Sequence, residues 1–465
     1  MTAIRLPRSA PVRDRAPIDV RRVAVGAALV VIAVGLAWVG NSIIAVAIIA
    51  AVAALVITFG LIIKQPEVLL PIAVISMWIE GLGGQASIGR VMSVVIPLVI
   101  VARIATTSWR PAALQPRAWV PLLVLTVWCW LGVFWAKVPV GGWLIGFFTL
   151  FLGIAYALAF MVFTESPAQV MKLMTIWVWL GALVALASSF VFFVGGVRGY
   201  GFTGGANNYA AFVVAGFPVI VVLARAAEGR ARLLLWCNVP IYLSALIASG
   251  SRMGFIMGGV MGVYIFSTMP GIRGRKRVIT IVGGAVFMGV VVFLFAALNS
   301  DRFSLAAFFS DRGAGRLDIW PAAIAAFKLH PLQGWGLGGF RSSSYELVQQ
   351  TSGASLQALR QTDDIRVGYI EAHNLYLSIL MDLGLIGTTI YFGLIASTMK
   401  NLWDLRKTAW GQLVWAFQGV QIALLIGQFF GTQLNQKFQW MIIGLAAGIY
   451  RKQRMIHRSS LPGSV

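Results

Sequence analysis

Apolar runs, most of them about 17 to 25 residues long and able to cross a hydrocarbon core about 30 Å thick, follow one another along most of the chain. They fall near 23–39, 43–63, 68–80, 90–105, 118–135, 143–163, 172–194, 207–224, 233–249, 252–269, 278–298, 374–399, 411–431 and 438–450. The third and the last are short enough to be half-spans, and Gly81-Leu82-Gly83-Gly84 interrupts the third where it leaves the bilayer. A single long polar interval, opening at Asn299 and closing near Gly387, breaks the series. Within it, Leu317–Leu329 predicts an amphipathic helix with Pro321 in its first turn, where proline is tolerated. His330-Pro331 ends that helix, and glycines 334, 336, 338 and 339 predict a turn-rich return toward the membrane.

This pattern predicts an all-α polytopic membrane protein of about 12–14 transmembrane helices, with one large external loop carrying a helix. Composition agrees: of the 465 residues, 59% are hydrophobic and only 11% charged, far from the quarter or so typical of soluble domains. The net charge of +22 therefore needs a location before it needs a partner, and it is no argument for nucleic acid. Basic clusters land on alternate loops: the tail through Arg22, Arg103 to Arg117, Arg225 to Arg232, Arg273 to Arg277, Lys400 to Lys407, and Arg451 to Arg458. By the positive-inside rule that side is cytoplasmic. The predicted organisation is a basic cytoplasmic tail (1–22), eleven spans (23–298), an external cap (299–372), the C-terminal spans (373–450) and a second cytoplasmic tail (451–465). The first apolar run, which lacks a small-residue cleavage site, is expected to remain as a helix. Cys129 and Cys237 both fall in apolar runs and carry no pairing pattern.

The polar residues that could carry chemistry gather at the predicted outer face. Arg252 stands in the tight turn Ser249-Gly250-Ser251-Arg252, Arg198 follows the seventh run, and Arg316 begins the cap helix. Each is either a snorkelling cation at a helix end or part of one cleft, and guanidinium groups suit bidentate contact with phosphate oxygens. Together they suggest a lipid-linked phosphate or pyrophosphate. His373 lies beside Glu371 at the start of the twelfth helix, placed either to pack or to accept a proton near neutral pH, with the helix dipole expected to keep it neutral. His330 is expected to cap or to pack, and His457 in the tail to be idle. Asp382 lies roughly 13 Å into the twelfth helix, as a proton or ion relay or as a protonated or hydrogen-bonded structural carboxyl. Asp363-Asp364 lacks further ligands at metal spacing, and the 334–339 glycines lack the lysine of a nucleotide loop.

Four motifs in order then resemble the bacterial O-antigen ligase and O-antigen polymerase superfamily of membrane glycosyltransferases. They are Ser249-Gly250-Ser251-Arg252-Met253-Gly254; Gly315-Arg316-Leu317-Asp318-Ile319-Trp320; His330-Pro331-Leu332-Gln333-Gly334-Trp335-Gly336-Leu337-Gly338; and His373-Asn374-Leu375-Tyr376-Leu377 with Leu383-Gly384-Leu385-Ile386-Gly387. Upstream, Gly201-Phe202-Thr203-Gly204-Gly205-Ala206-Asn207 is similar to a further family segment, but Gly205 and Ala206 replace an Asn and a Pro there. The resemblance, covering about 198–390, implies a GT-C-like glycosyltransferase that needs no cofactor and no metal and inverts its sugar. It further implies a polyprenyl-pyrophosphate-linked glycan as donor, a glycan, lipid or protein hydroxyl as acceptor, and the outer face of a bacterial cytoplasmic membrane as the place. His373 is then the expected base, Arg252 and Arg316 with Arg198 the pyrophosphate ligands, and Asn207, Ser251, Glu371 and Asn374 further substrate contacts. Polymerase and ligase differ only in the acceptor. An anion transporter and a non-catalytic scaffold in polysaccharide assembly are the readings from other classes.

Overall fold

The computed structural model describes residues 60, 64–80, 88–106, 116–136, 140–203, 205–298, 316–339, 372–431 and 436–459. The first two apolar runs, the 81–84 glycines, Arg302, Arg312, Asp363, Asp364 and Glu371 lie outside them. The chain divides after Pro66, and the larger unit, Glu67–Val465, holds every helix discussed below.

Each of the twelve remaining apolar runs is a helix. In chain order these are α1 (Leu69–Trp78), α2 (Ile88–Thr106), α3 (Pro116–Leu131), α4 (Val140–Phe163), α5 (Pro167–Gly195), α6 (Ala206–Ala226), α7 (Gly229–Ser249), α8 (Arg252–Thr268) and α9 (Arg275–Leu298). The cap helix α10 (Arg316–Leu329) follows, and then α11 (Leu375–Asp404), α12 (Gly411–Gly427) and α13 (Lys437–Ser459). Among the described residues, seven helices are long and apolar enough to cross a membrane, so the chain is an all-α, multi-pass membrane protein. The third run is indeed short: the ten residues of α1 rise about 15 Å, half a bilayer. The last is continuous, 23 residues long, because its apolar first half runs on into the basic Arg451–Arg454 end.

Short connections force antiparallel neighbours. α6 is the axis: it is buried over 83% of its span and packs on α5, α7, α8 and α12. α9 lies at the periphery, buried over only 11% and resting mainly on α8. α13 packs on α4 and α11, and α1 wedges between α4 and α5. There Trp78 donates from Nε1 to the Trp177 carbonyl at 3.0 Å, and the two rings lie 5.0 Å apart. Satisfying the indole N–H is what allows this large ring to be wholly buried.

The cap helix does not stand out in water. Ile319, Ala322, Ala323 and Ala326 are buried against Trp335, Ala372 and Met381, and the small alanine face brings α10 close to the head of α11. The opposite face carries Ile324 near Lys328, and Leu329 ends the helix; the two apolar side chains are 44% and 61% exposed. An apolar stripe where a polar one was expected fits a helix lying on the membrane surface.

The segment after α10 turns back into the bundle and fills a break in α11. Gly384 has φ 64° and ψ −171° inside that helix, which interrupts the ladder of hydrogen bonds. The freed groups find partners in the 331–335 segment: Leu385 and Ile386 N–H donate to the carbonyls of Pro331 and Leu332 at 2.9 and 3.2 Å, and Trp335 N–H donates to the Met381 carbonyl at 2.8 Å. Trp128 Nε1 takes up the Leu383 carbonyl at 3.0 Å. Without these partners a broken helix would leave polar backbone in an apolar interior, which is strongly unfavourable.

Candidate active site

At the end of the bundle where α5, α7, α9 and α12 finish and α6, α8 and α11 begin, the 315–320 and 330–338 segments are tied by hydrogen bonds to the 372–387 stretch, and the 249–254 turn approaches them through Met253, which lies against Gly431. The first junction is the turn between α7 and α8. Gly250 takes the left-handed conformation there, and Ser251 caps α8 by accepting from Gly254 N–H at 3.0 Å. The same Ser251 hydroxyl donates to Asn207 Oδ1 at 2.6 Å, tying the turn to the first turn of α6. Arg198 clamps it from the other side: Nε donates to the Ser249 carbonyl at 2.8 Å and Nη2 to the Gly250 carbonyl at 3.3 Å. Arg252 is therefore the first helical residue after a turn held from two directions, and half-buried.

Arg316 is held at the second junction, where Nη2 donates to the Phe430 carbonyl at 3.1 Å, just past the end of α12. The neighbouring Gly431 lies against Met253, so the surroundings of Arg316 and of the residue after Arg252 meet across this short stretch. The third junction fixes the histidine. Trp320 of α10 donates from Nε1 to the carbonyl of buried Ala372 at 3.0 Å, while Asn374 caps α11 by accepting from Leu377 N–H at 3.1 Å. Between these two anchors His373 has φ 48°, the one left-handed non-glycine among the described residues. Such a conformation is costly for a residue with a Cβ and persists where both neighbours impose it, a recurrent feature of functional sites. One turn on, the Tyr376 hydroxyl donates to the Leu425 carbonyl, and its ring lies tilted against Phe429 with centroids 4.5 Å apart.

The end of α12 is thus the hub on which α8, α10 and α11 all bear. Beside it Met253 and Met257 of α8, Leu424, Gly427 and Gly431 close round the amides of Gln428 and Gln436 and leave no room for a water molecule. None of these was singled out in the sequence. Glutamines inside apolar runs were the available signal, since a buried amide in a membrane domain needs a partner.

Of the sequence-predicted residues, the structure brings Arg198, Asn207, Ser251 and Arg252 together around one turn and sets Arg316, His373 and Asn374 on elements that meet at the end of α12. Glu371 lies outside the described residues. His330 packs edge-on against Trp335 with ring centroids 4.9 Å apart, in keeping with the structural role expected of it. Asp382 accepts Gly338 N–H at 3.0 Å, so the carboxyl in the apolar interior anchors the returning segment.

These features define a class: a multi-pass α-helical membrane protein with arginines and a strained histidine gathered at one end. The comparisons narrow it. Residues 237–392 match the family model described as O-Antigen ligase. The match takes in the 249–254, 315–320, 330–338 and 373–387 motifs and leaves out Arg198 and Asn207. A Rickettsia felis protein described as a polysaccharide ligase is 22% identical over 237 residues, covering 51% of this chain and 54% of that protein. The chain therefore spans about half the length of the curated relative it matches.

Proposed function

We propose that this protein is a membrane glycosyltransferase that moves a glycan from a polyprenyl-pyrophosphate carrier to an acceptor hydroxyl at the outer face of the cytoplasmic membrane, as a polysaccharide ligase or polymerase. The observation that carries the reading is that Arg316 and Trp320, from one matched motif, bond to Phe430 past the end of α12 and to Ala372, the residue before His373 of another. His373 accepts the acceptor's hydroxyl proton as that oxygen attacks the anomeric carbon. The bond from that carbon to the diphosphate oxygen breaks on the opposite face, and its electron pair leaves with the diphosphate. Arg252 and Arg316 face the charge that grows there, and fixed cations aimed at developing charge contribute most to catalysis of this kind. Arg198 holds the turn that aims Arg252.

Protein in nanodiscs, supplied with a lipid-linked oligosaccharide donor, tests this. Wild type should release the carrier pyrophosphate, a ladder of products marking a polymerase and one addition to a distinct acceptor marking a ligase. His373→Asn should lower turnover by about 10²- to 10⁴-fold with the protein still folded, because asparagine tolerates the left-handed backbone and only the base is lost. Unchanged turnover in that variant would rule out the proposed base.

One observation favours a transporter: α11 is broken in mid-course at Gly384, as substrate-binding helices of transporters are. Against it, the broken ends are occupied by Pro331, Leu332, Trp335 and Trp128. Solute flux in proteoliposomes without donor lipid would reverse the preference.

A further inference from the structure

Lys437, at the start of α13, is the one charged side chain that is buried among the described residues, 1% exposed. Its ammonium meets the Glu80 carboxylate just past α1 and lies over the Tyr156 ring of α4, 5.4 Å from the centroid. A Cβ on Gly89, in the first turn of α2, would overlap that ammonium and stand 3.5 Å from Glu80 Oε1, so the pair fills the space a side chain there would need. Four elements thus close on one ion pair inside a membrane domain. Removing either partner strands a charge away from water, whereas an apolar pair of the same volume would hold the helices together about as well. What the charges add is register: α13 cannot turn or slide without pulling the ammonium off its carboxylate.

That register reaches the candidate active site. Two residues on from Lys437, Gln439 accepts from Gln428 Nε2 through its Oε1 at 2.6 Å and donates from Nε2 to the Tyr391 hydroxyl of α11 at 3.2 Å. Gln428 and Phe430 share the short 3-10 turn that follows α12, and the Phe430 carbonyl takes Arg316 Nη2 at 3.1 Å. Lys437, Gln439 and Gln428 are all buried, so a chain of contacts runs through the packed interior from Glu80 to Arg316.

We propose that Glu80 and Lys437 are a positioning pair: by fixing the register of α13 they hold the end of α12 where its Phe430 carbonyl aims Arg316 at the donor diphosphate. The inference rests on the function proposed above, and neither residue touches the donor itself.

The test is a double-mutant cycle read as affinity, which does not depend on the folded fraction. Full-length protein in nanodiscs is titrated with farnesyl diphosphate. Replacing the pair by apolar groups, Glu80→Leu with Lys437→Met, should weaken binding by about tenfold. In an Arg316→Gln background the same replacement should cost no further affinity, because its effect passes through Arg316; independent contributions would multiply. Glu80→Asp, which keeps both charges and shortens the acid, reads the same cycle if the apolar variant does not fold. Lys400→Gln, which breaks the exposed pair with Asp404 at the opposite end of the bundle, should change nothing. Wild-type affinity in the folded Glu80 variants, or an equal loss with and without Arg316, overturns the positioning role while leaving the diphosphate reading standing. Wild type that does not bind farnesyl diphosphate sinks that reading and the positioning role with it.

Discussion

Arg198 is committed to the turn that precedes Arg252. Its guanidinium spends Nε and Nη2 on the Ser249 and Gly250 carbonyls. Charged hydrogen bonds of this kind contribute roughly 1.5–3 kcal/mol each, reduced where water competes. Arg198→Ala should therefore lower thermal stability by about 1–3 kcal/mol and blunt turnover, while Arg198→Lys recovers only part because a point charge cannot span two carbonyls. Melting curves beside donor titrations check this: a variant that kept full stability but lost donor affinity would make Arg198 a direct ligand. At this scale much of the site was legible, since Arg252, Arg316 and His373 are unusual polar residues at helix ends. The pairing of Gln428 with Gln439 was not, because a glutamine in an apolar run looks the same whether its amide faces lipid or a neighbour.

The element that departs most from its sequence is α11. Asp382 and Gly384 sit in one apolar run, which reads as a straight helix with an acidic group to be explained. The explanation came from another segment: Gly338 occupies the carboxyl, and residues 331–335 occupy the break. The two backbones approach so closely that a Cβ on Gly334 would lie 2.5 Å from the Gly384 nitrogen. Gly384→Ala should destabilise by about 2–4 kcal/mol, since it adds a Cβ against the Leu332 carbonyl and disfavours a positive φ. Asp382→Asn keeps an acceptor oxygen for Gly338 N–H and should retain most activity, whereas Asp382→Leu should lose folded protein in detergent chromatography. Loss of activity in a well-folded Asp382→Asn variant would restore the proton-relay alternative.

For the whole molecule, the expected orientation follows from charge. Among the described residues, Arg225, Arg232, Arg273, Arg275, Lys276, Lys400, Lys407 and Arg454 lie at the bundle end opposite His373. If the positive-inside rule sets the topology, Lys328→Cys, in a background with Cys129 and Cys237 replaced by serine, should react with a membrane-impermeant maleimide added to intact cells. Arg273→Cys should react only after permeabilisation. The reverse pattern would put His373 on the cytoplasmic side and overturn the outer-face reaction proposed above.

Hydrophobic period and run length by themselves determined the membrane class, the helix positions and the alternation of basic loops, because each depends on local composition against a bilayer of given thickness. Family-like motifs also placed the arginines and the histidine at helix ends. Only the tertiary structure decided that the cap helix lies on an apolar face, that the 331–338 segment closes a break in α11, and that the end of α12 joins α8, α10 and α11. Those outcomes depend on which distant backbone groups and buried amides find partners, and pairing between residues a hundred positions apart leaves no period in the sequence to read.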